Sequence, residues 1–214
     1  MPDPFSELRI DYEPEEGLDP ERCPSDPTAL LRAWIEASLA AGDIEPHAMT
    51  LATVGRDGAP SARVVLLRGL DHRGLAFYTN RVSRKGLELA GQAAAAATFY
   101  WPRFQRQARV EGAVSALSDS ESDAYFASRP RPSQIGAWAS EQSAVIASRA
   151  ELEARVAAFE RRFPGAVPRP PHWGGYVLAP RRFEFWQGRP SRLHDRVLYL
   201  AEDGGGYTRS RLAP

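Results

Sequence analysis

The period of the apolar positions separates helix from strand along this chain. Residues 1–25 show no such period and are rich in Pro, Asp and Glu, which reads as a mobile N-terminal arm interrupted only by Leu8, Arg9 and Tyr12. The run "SDPTALLRAWIEASLAAG" puts Leu30, Leu31, Trp34, Ile35 and Leu39 on one stripe behind Asp26 as N-cap and Pro27 at the first helical position. It stops at Gly42, so one amphipathic helix is expected. From Met49 the period shortens: "MTLATV", "SARVVLLRGL" and "GLAFYTN" read as strands joined by the turns "GRDG" and "DHRG". A short helix over "SRKGLELAGQ" and two strands, "AAATFYW" and "QRQARVEGAVSAL", follow. Ser118 and Glu121 have capping-box spacing ahead of a helix that Pro130 and Pro132 end. A short helix near "SQIGAWAS", a charged amphipathic helix over residues 149–162 and a proline-stiffened loop come next. "GGYVLAP", "RRFEFWQG", "RVLYL" and a last run to Leu212 close the chain as strands. Strands outnumber helices and rarely alternate with them, which favours a mainly β barrel decorated by helices, as a single domain over residues 26–214, above a doubly wound sheet.

Composition narrows the partners. Lys plus Arg and Asp plus Glu both total 27, and this zero formal net charge argues against a protein that lives on nucleic acid or an anionic membrane. Any basic cluster must be local. The single cysteine, Cys23, has no internal disulfide partner. No basic region followed by an apolar stretch opens the chain, and no run approaches the ~18 apolar residues of a membrane span, so a cytoplasmic location is expected. There is no GxGxxG after a strand, no GxxxxGK[ST], and no metal-ligand spacing among His47, His72, His172 and His194.

Arginine recurs where a globular surface does not need it. Arg63 and Arg68 bracket the apolar run of "ARVVLLRG", a pattern that two strand-end arginines reaching for solvent would also give. In "FYTNRVSRKG" a strand ending in Tyr78 and Thr79 leads to a helix starting near Ser83, Arg84 and Lys85. Cations there oppose the helix dipole unless an anion compensates, which points to a phosphate site. Tyr125 and Arg129 are i,i+4 neighbours, with Ser133 just past the proline corner, so a second anion site is a candidate beside a plain dipole-compensating arginine. A strand from Ser191 to Tyr199 would turn Arg192, His194 and Arg196 to one face near Trp186. That surface suits a planar, anionic heteroaromatic ligand, although charge on an exposed edge strand would look the same.

The strings "RVVLLRG", "FYTNRVSRKG", "SRPRPSQIGAWAS", "WGGY", "FEFWQG", "RLHDR" and "RLAP" together resemble the pyridoxine (pyridoxamine) 5′-phosphate oxidase family, from about Leu8 to Pro214. The resemblance implies a homodimeric split β-barrel holding FMN at the subunit interface. It implies oxidation of pyridoxine or pyridoxamine 5′-phosphate to pyridoxal 5′-phosphate, with O₂ as acceptor and H₂O₂ as product, the last step of vitamin B6 cofactor synthesis and salvage. On that resemblance Arg63, Val64, Val65, Leu66, Leu67, Arg68, Tyr78, Thr79, Arg84, Lys85, Gln107, Gln142, Ser143, Trp186 and Arg196 serve FMN, some from the partner subunit. Arg68, Tyr125, Arg129 and Ser133 hold the substrate phosphate. Arg192, Leu193 and His194 lie at the pyridine ring, with Arg192 and His194 as the catalytic pair in the sense of orienting it, and Arg9 and Tyr12 belong to an arm that folds over the site. Arg68 stands where the family often has lysine, which keeps the charge and changes its geometry. Relatives acting on phenazine precursors tend to lose the substrate-phosphate residues that this chain keeps. Such a flavin oxidase, or a non-catalytic split-barrel sensor, is the rival expectation.

Overall fold

The computed structural model describes Phe5, residues 11–13 and residues 17–214; Arg9 lies outside the described residues. In chain order come α1 (Pro27–Ala40), β1 (Ala48–Val54), β2 (Pro60–Leu66), β3 (Gly69–Asp71), β4 (Gly74–Asn80), α2 (Arg84–Gly91), β5 (Ala94–Trp101) and β6 (Arg106–Ala116). Three helices follow, α3 (Asp119–Ser128), α4 (Arg131–Ala139) and α5 (Arg149–Arg162), then β7 (Trp173–Gln187), β8 (Asp195–Ala201) and β9 (Tyr207–Leu212). The hydrogen-bonded strand order is β2-β1-β5-β6-β7-β4-β3, with β8 on β7 and β9 on β8.

Local chemistry explains most boundaries. The Asp26 carboxylate accepts the Thr28 N–H at 2.8 Å ahead of Pro27, and Gly42, at φ +81°, follows the end of α1. Ser118 and Glu121 form both halves of the capping box that starts α3.

Three expectations change. "SARVVLLRGL" is two strands, β2 and β3, because the chain leaves the first at Leu66 and the Arg68 N–H donates to the Ala76 carbonyl on β4. "GGYVLAP" and "RRFEFWQG" are one strand, β7. Its residues up to Leu178 pair with β4 and those from Arg182 with β8, so Pro180, which has no N–H, falls between the two ladders. Finally, Ser191 to His194 is not strand. Pro190–Arg192 forms a 3-10 turn with Ser191 and Arg192 in the left-handed region, and β8 begins at Asp195. Strict alternation of Arg192, His194 and Arg196 is lost.

The described chain divides into two compact units. The first comprises Met1–Thr50, Ala96–Glu111 and Pro180–Pro214. Its core packs Trp34 edge-on against Trp101 (5.9 Å) and Phe185 (5.2 Å), with Phe185 edge-on to Tyr199 (5.7 Å). Leu18 and Cys23 are buried there, Leu18 N–H donates to Asp195 at 3.1 Å, and Tyr199 Oη donates to the Pro24 carbonyl at 2.9 Å.

The second unit comprises Leu51–Ala95 and Gly112–Ala179. Phe126, Ile135, Val167 and Trp173 form a buried cluster onto which Tyr78, Tyr125, Trp138 and Phe159 pack. Two glycines permit close approaches. A Cβ on Gly86, in the first turn of α2, would sit 2.2 Å from the Arg81 carbonyl oxygen, and one on Gly175 would sit 2.7 Å from the Tyr78 ring.

Candidate functional site

A cleft of about 830 Å³ opens in the second unit. It is walled by β2, the end of β4, the start of α2, the α3–α4 corner and the loop after α4. Among the described residues five of the lining are cationic, Arg63, Arg68, Arg84, Lys85 and Arg129, and none is Asp or Glu. A concave surface with that charge composition selects anions. Val64, Val65 and Leu66 add an apolar wall; Leu67 is buried and is not part of the lining.

At the α2 start, Lys85 is buried and its ammonium donates to Thr79 Oγ1 (3.2 Å), Gln142 Oε1 (3.1 Å) and Ser83 Oγ (3.4 Å). All three acceptors are neutral. Burial, then the nearby Arg63 charge, lowers the Lys85 pKa despite Glu88. Gln142 Oε1 also accepts from Thr79 Oγ1 at 3.0 Å, and Ser143 Oγ accepts the Arg84 backbone N–H at 3.1 Å. The loop after α4 is thereby tied to the helix that carries the cations.

Glu88, one turn further along α2, gathers two more of the five cations, Arg63 and Arg84. Its Oε2 accepts from Thr53 Oγ1 (2.5 Å), Ser61 Oγ (2.6 Å) and Arg63 Nη2 (3.2 Å), and its Oε1 from Arg84 Nε (2.9 Å). Hydrogen bonds from Ser61 and Thr53, then from Arg84 and Arg63, hold its pKa down to about 2.

At the α3–α4 corner, Tyr78 stacks on Tyr125 with centroids 3.8 Å apart, and both rings run parallel to Trp173. Arg129, the C-cap of α3, lies with its guanidinium 4.8 Å from the Trp173 ring centroid and 5.6 Å from that of Phe126. Its buried Nη1 has no hydrogen-bond partner among the described residues, and burial lowers its pKa. Ser133 lines the cleft beside it. A buried donor left open in this way is what a ligand oxygen satisfies.

The structure therefore brings together every expected site residue between Arg63 and Ser143 except Leu67 and Gln107. The remaining candidates belong to the first unit. Trp186 and His194 have ring centroids 4.7 Å apart, and Tyr12 packs 5.8 Å from each. His194 Nδ1 accepts the Arg189 backbone N–H at 3.1 Å, which leaves the imidazole proton on Nε2. Burial, then the Arg192 charge, lowers its pKa. Arg192 and Leu193 are exposed, and Gln107 is half-buried on β6. Arg196 is already paired: Nε and Nη2 donate to Glu184 Oε1 at 3.0 and 2.8 Å, and Nη1 to the Ala213 carbonyl at 2.8 Å.

Sequence reasoning missed Glu88 and Trp173. Glu88 was signalled by its i,i+4 spacing from Arg84 in a helix that opens with two cations. Trp173 carried no local signal, because its stacking partners come from β4 and α3.

Comparison with known proteins gives concordant results. Residues 31–162 match the family model described as pyridoxamine 5′-phosphate oxidase, and residues 173–214 the pyridoxine 5′-phosphate oxidase C-terminal dimerisation region. The chain is 53% identical to a pyridoxine/pyridoxamine 5′-phosphate oxidase of Chromobacterium violaceum over 98% of each chain. It is 56% identical to one of Burkholderia cenocepacia, over 98% of this chain and 99% of the relative. Among solved structures, PhzG from Burkholderia lata in complex with tetrahydrophenazine-1-carboxylic acid is similar with a TM-score of 0.87 at 34% identity, over 94% of this chain and 99% of that one. A pyridoxamine 5′-phosphate oxidase-related, FMN binding protein from Nostoc punctiforme shares the fold at 19% identity and a TM-score of 0.71, over 93% of this chain and 100% of that one. These likenesses bear out the expected fold class, a split β-barrel decorated by helices.

Proposed function

Because the chain belongs to the pyridoxamine 5′-phosphate oxidase family, we propose that it binds FMN and oxidises pyridoxine or pyridoxamine 5′-phosphate to pyridoxal 5′-phosphate. O₂ is the acceptor and H₂O₂ the product, with water consumed and ammonia released when the substrate is the amine. The observation that carries this reading is that, among the described residues, the cleft lining holds five cations and no carboxylate, with buried Lys85 and the buried Nη1 of Arg129 lacking an anionic partner.

The residues present fit the cofactor. Lys85, Arg84, Thr79, Gln142 and Ser143 converge at a helix start, where a phosphate dianion relieves the unfavourable meeting of cations and dipole. Arg63, Val64, Val65 and Leu66 offer one cationic and one apolar surface for the remainder of the cofactor. When bound, FMN supplies the two-electron acceptor and its reoxidation by O₂. Arg129, with Arg68, Tyr125 and Ser133, is assigned to the substrate phosphate, which the open Nη1 donor satisfies. His194, held as the Nε2–H tautomer by Arg189, donates to the substrate ring, and Arg192 and Leu193 flank it. These groups orient the ring; none is required to act as an obligatory acid or base.

Gln107, Trp186 and Arg196 are assigned to the flavin pocket in a homodimer, in keeping with the match of residues 173–214 to a dimerisation region. Tyr12 belongs to the covering arm. No helix among the described residues is long and apolar enough to cross a membrane, and we place the enzyme in the cytoplasm.

Anaerobic addition of pyridoxine 5′-phosphate to the purified yellow protein tests the reading. Bleaching of the flavin, with colour and H₂O₂ returning in air, is expected. Bleaching by tetrahydrophenazine-1-carboxylic acid alone would move the chain to the ligand class of the PhzG complex, and bound flavin that neither compound bleaches would make it a non-catalytic module.

A further inference from the structure

Glu88 lies outside the cleft lining yet touches two of its five cations, Arg63 and Arg84. We propose that Glu88 is a positioning residue for anion binding: it fixes the guanidinium groups of Arg63 and Arg84 so that the cleft presents them in one arrangement. The inference rests on the phosphate-binding reading of the α2 start given above.

The geometry makes the carboxylate a hub. Oε2 draws in one hydroxyl from β1 (Thr53), one from β2 (Ser61) and the Arg63 guanidinium, and Oε1 holds Arg84. Arg63 is fixed further by donating to the Leu51 carbonyl at 3.2 Å, to Thr53 Oγ1 and to Ser61 Oγ. The same two hydroxyls thus accept from the arginine while donating to the carboxylate, an arrangement only an acceptor-only group at position 88 can complete. Arg84 is otherwise solvent-facing, with 65% of its side chain exposed, so Glu88 is what restricts it. Lys85 shows the contrast, because its neutral acceptors leave its charge for the ligand.

A charge-only role and a positioning role predict opposite signs. Glu88 is a negative charge beside an anion site, so if it acted through its field alone, Glu88→Gln would tighten anion binding. If it positions the arginines, Glu88→Gln weakens binding. The amide NH₂ must face either Arg84 Nε or the three donors at the other oxygen, and in both orientations donors oppose donors and release an arginine.

The test measures FMN affinity of the apo-protein by flavin fluorescence quenching, and inorganic phosphate affinity by thermal shift, for wild type, Glu88→Gln and Ser61→Ala. Expected is a loss of about tenfold in FMN affinity for Glu88→Gln and about threefold for Ser61→Ala. In an Arg63→Ala, Arg84→Ala background the Glu88→Gln loss should shrink to under about twofold, because a positioning residue has nothing left to position. Should Glu88→Gln not fold, the Ser61→Ala arm decides by its sign. Unchanged or tightened binding in a folded variant overturns the proposal, as does a full tenfold loss persisting in the double-alanine background. If wild type binds phosphate but not FMN, the cofactor assignment fails while Glu88 is still judged on phosphate; binding of neither overturns both.

Discussion

Replacing Arg129 with methionine separates binding from stability. Met keeps an unbranched stem over Trp173 and removes the charge. The guanidinium stacks on Trp173 and Phe126, but among the described residues its buried Nη1 has no partner and no carboxylate pairs with it. The cation–π contact contributes about 0.5–1 kcal/mol, and relief of an unsatisfied buried donor returns as much or more, about 1–3 kcal/mol. Stability of the apo-protein should therefore stay level or rise, with a melting temperature at or above that of wild type. Loss of a charge-assisted bond to the substrate phosphate removes about 1.5–3 kcal/mol, so KM for pyridoxine 5′-phosphate should increase about ten- to a hundredfold. FMN content should stay normal, and a fall in kcat would report misalignment of a ring whose phosphate anchor is loose. The assays are steady-state kinetics, flavin absorbance and a thermal melt on one preparation. If Arg129→Met loses flavin while its holo fraction keeps the wild-type KM, Arg129 serves the cofactor. A large stability loss with KM unchanged would make it structural.

Three further predictions follow from buried groups and backbone approach. Lys85→Met should abolish most FMN binding while leaving the apo-protein as stable or more so, measured by flavin stoichiometry and melting. Since burial lowers the folded-state pKa of Lys85, the folded state binds fewer protons than the unfolded between the two values; apo stability should rise with pH across that window while phosphate affinity falls, and both limbs should vanish in the variant. His194 also has a lowered folded-state pKa, so its contribution should be lost as pH falls from the ordinary histidine value through the lowered one, when Nδ1 takes a proton and releases the Arg189 N–H; the change should be visible in its imidazole NMR titration and absent in His194→Phe. Gly86→Ala should destabilise by on the order of 3 kcal/mol or more, or prevent folding, because the new Cβ meets the Arg81 carbonyl; a variant with wild-type melting would show that the start of α2 can shift to make room.

Period, caps and turn residues are local properties, so the features that depend on them can be read from the order of residues. Asp26 and Pro27 start α1, Ser118 and Glu121 start α3, and strand-rich runs without interleaved helices indicate the mainly β class. The cations at the head of α2 were legible for the same reason: their conflict with the helix dipole is written within three residues, Ser83, Arg84 and Lys85.

Tertiary structure alone decided the rest. Whether Pro180 ends a strand depends on which neighbours its flanking residues pair with, and one of them, β4, is remote in sequence. The turn at Pro190–Arg192 defeated the alternation argument, since period-2 reasoning assumes extended backbone and two residues there are left-handed. Arg63, Arg84 and Arg196 look alike as letters. Only the fold shows that buried Glu88 holds Arg63 as well as Arg84, that Glu184 occupies Arg196, and that Arg129 keeps an open donor among the described residues. A charge acquires its role from the partners that burial leaves it, and sequence spacing alone does not say which neighbours those are.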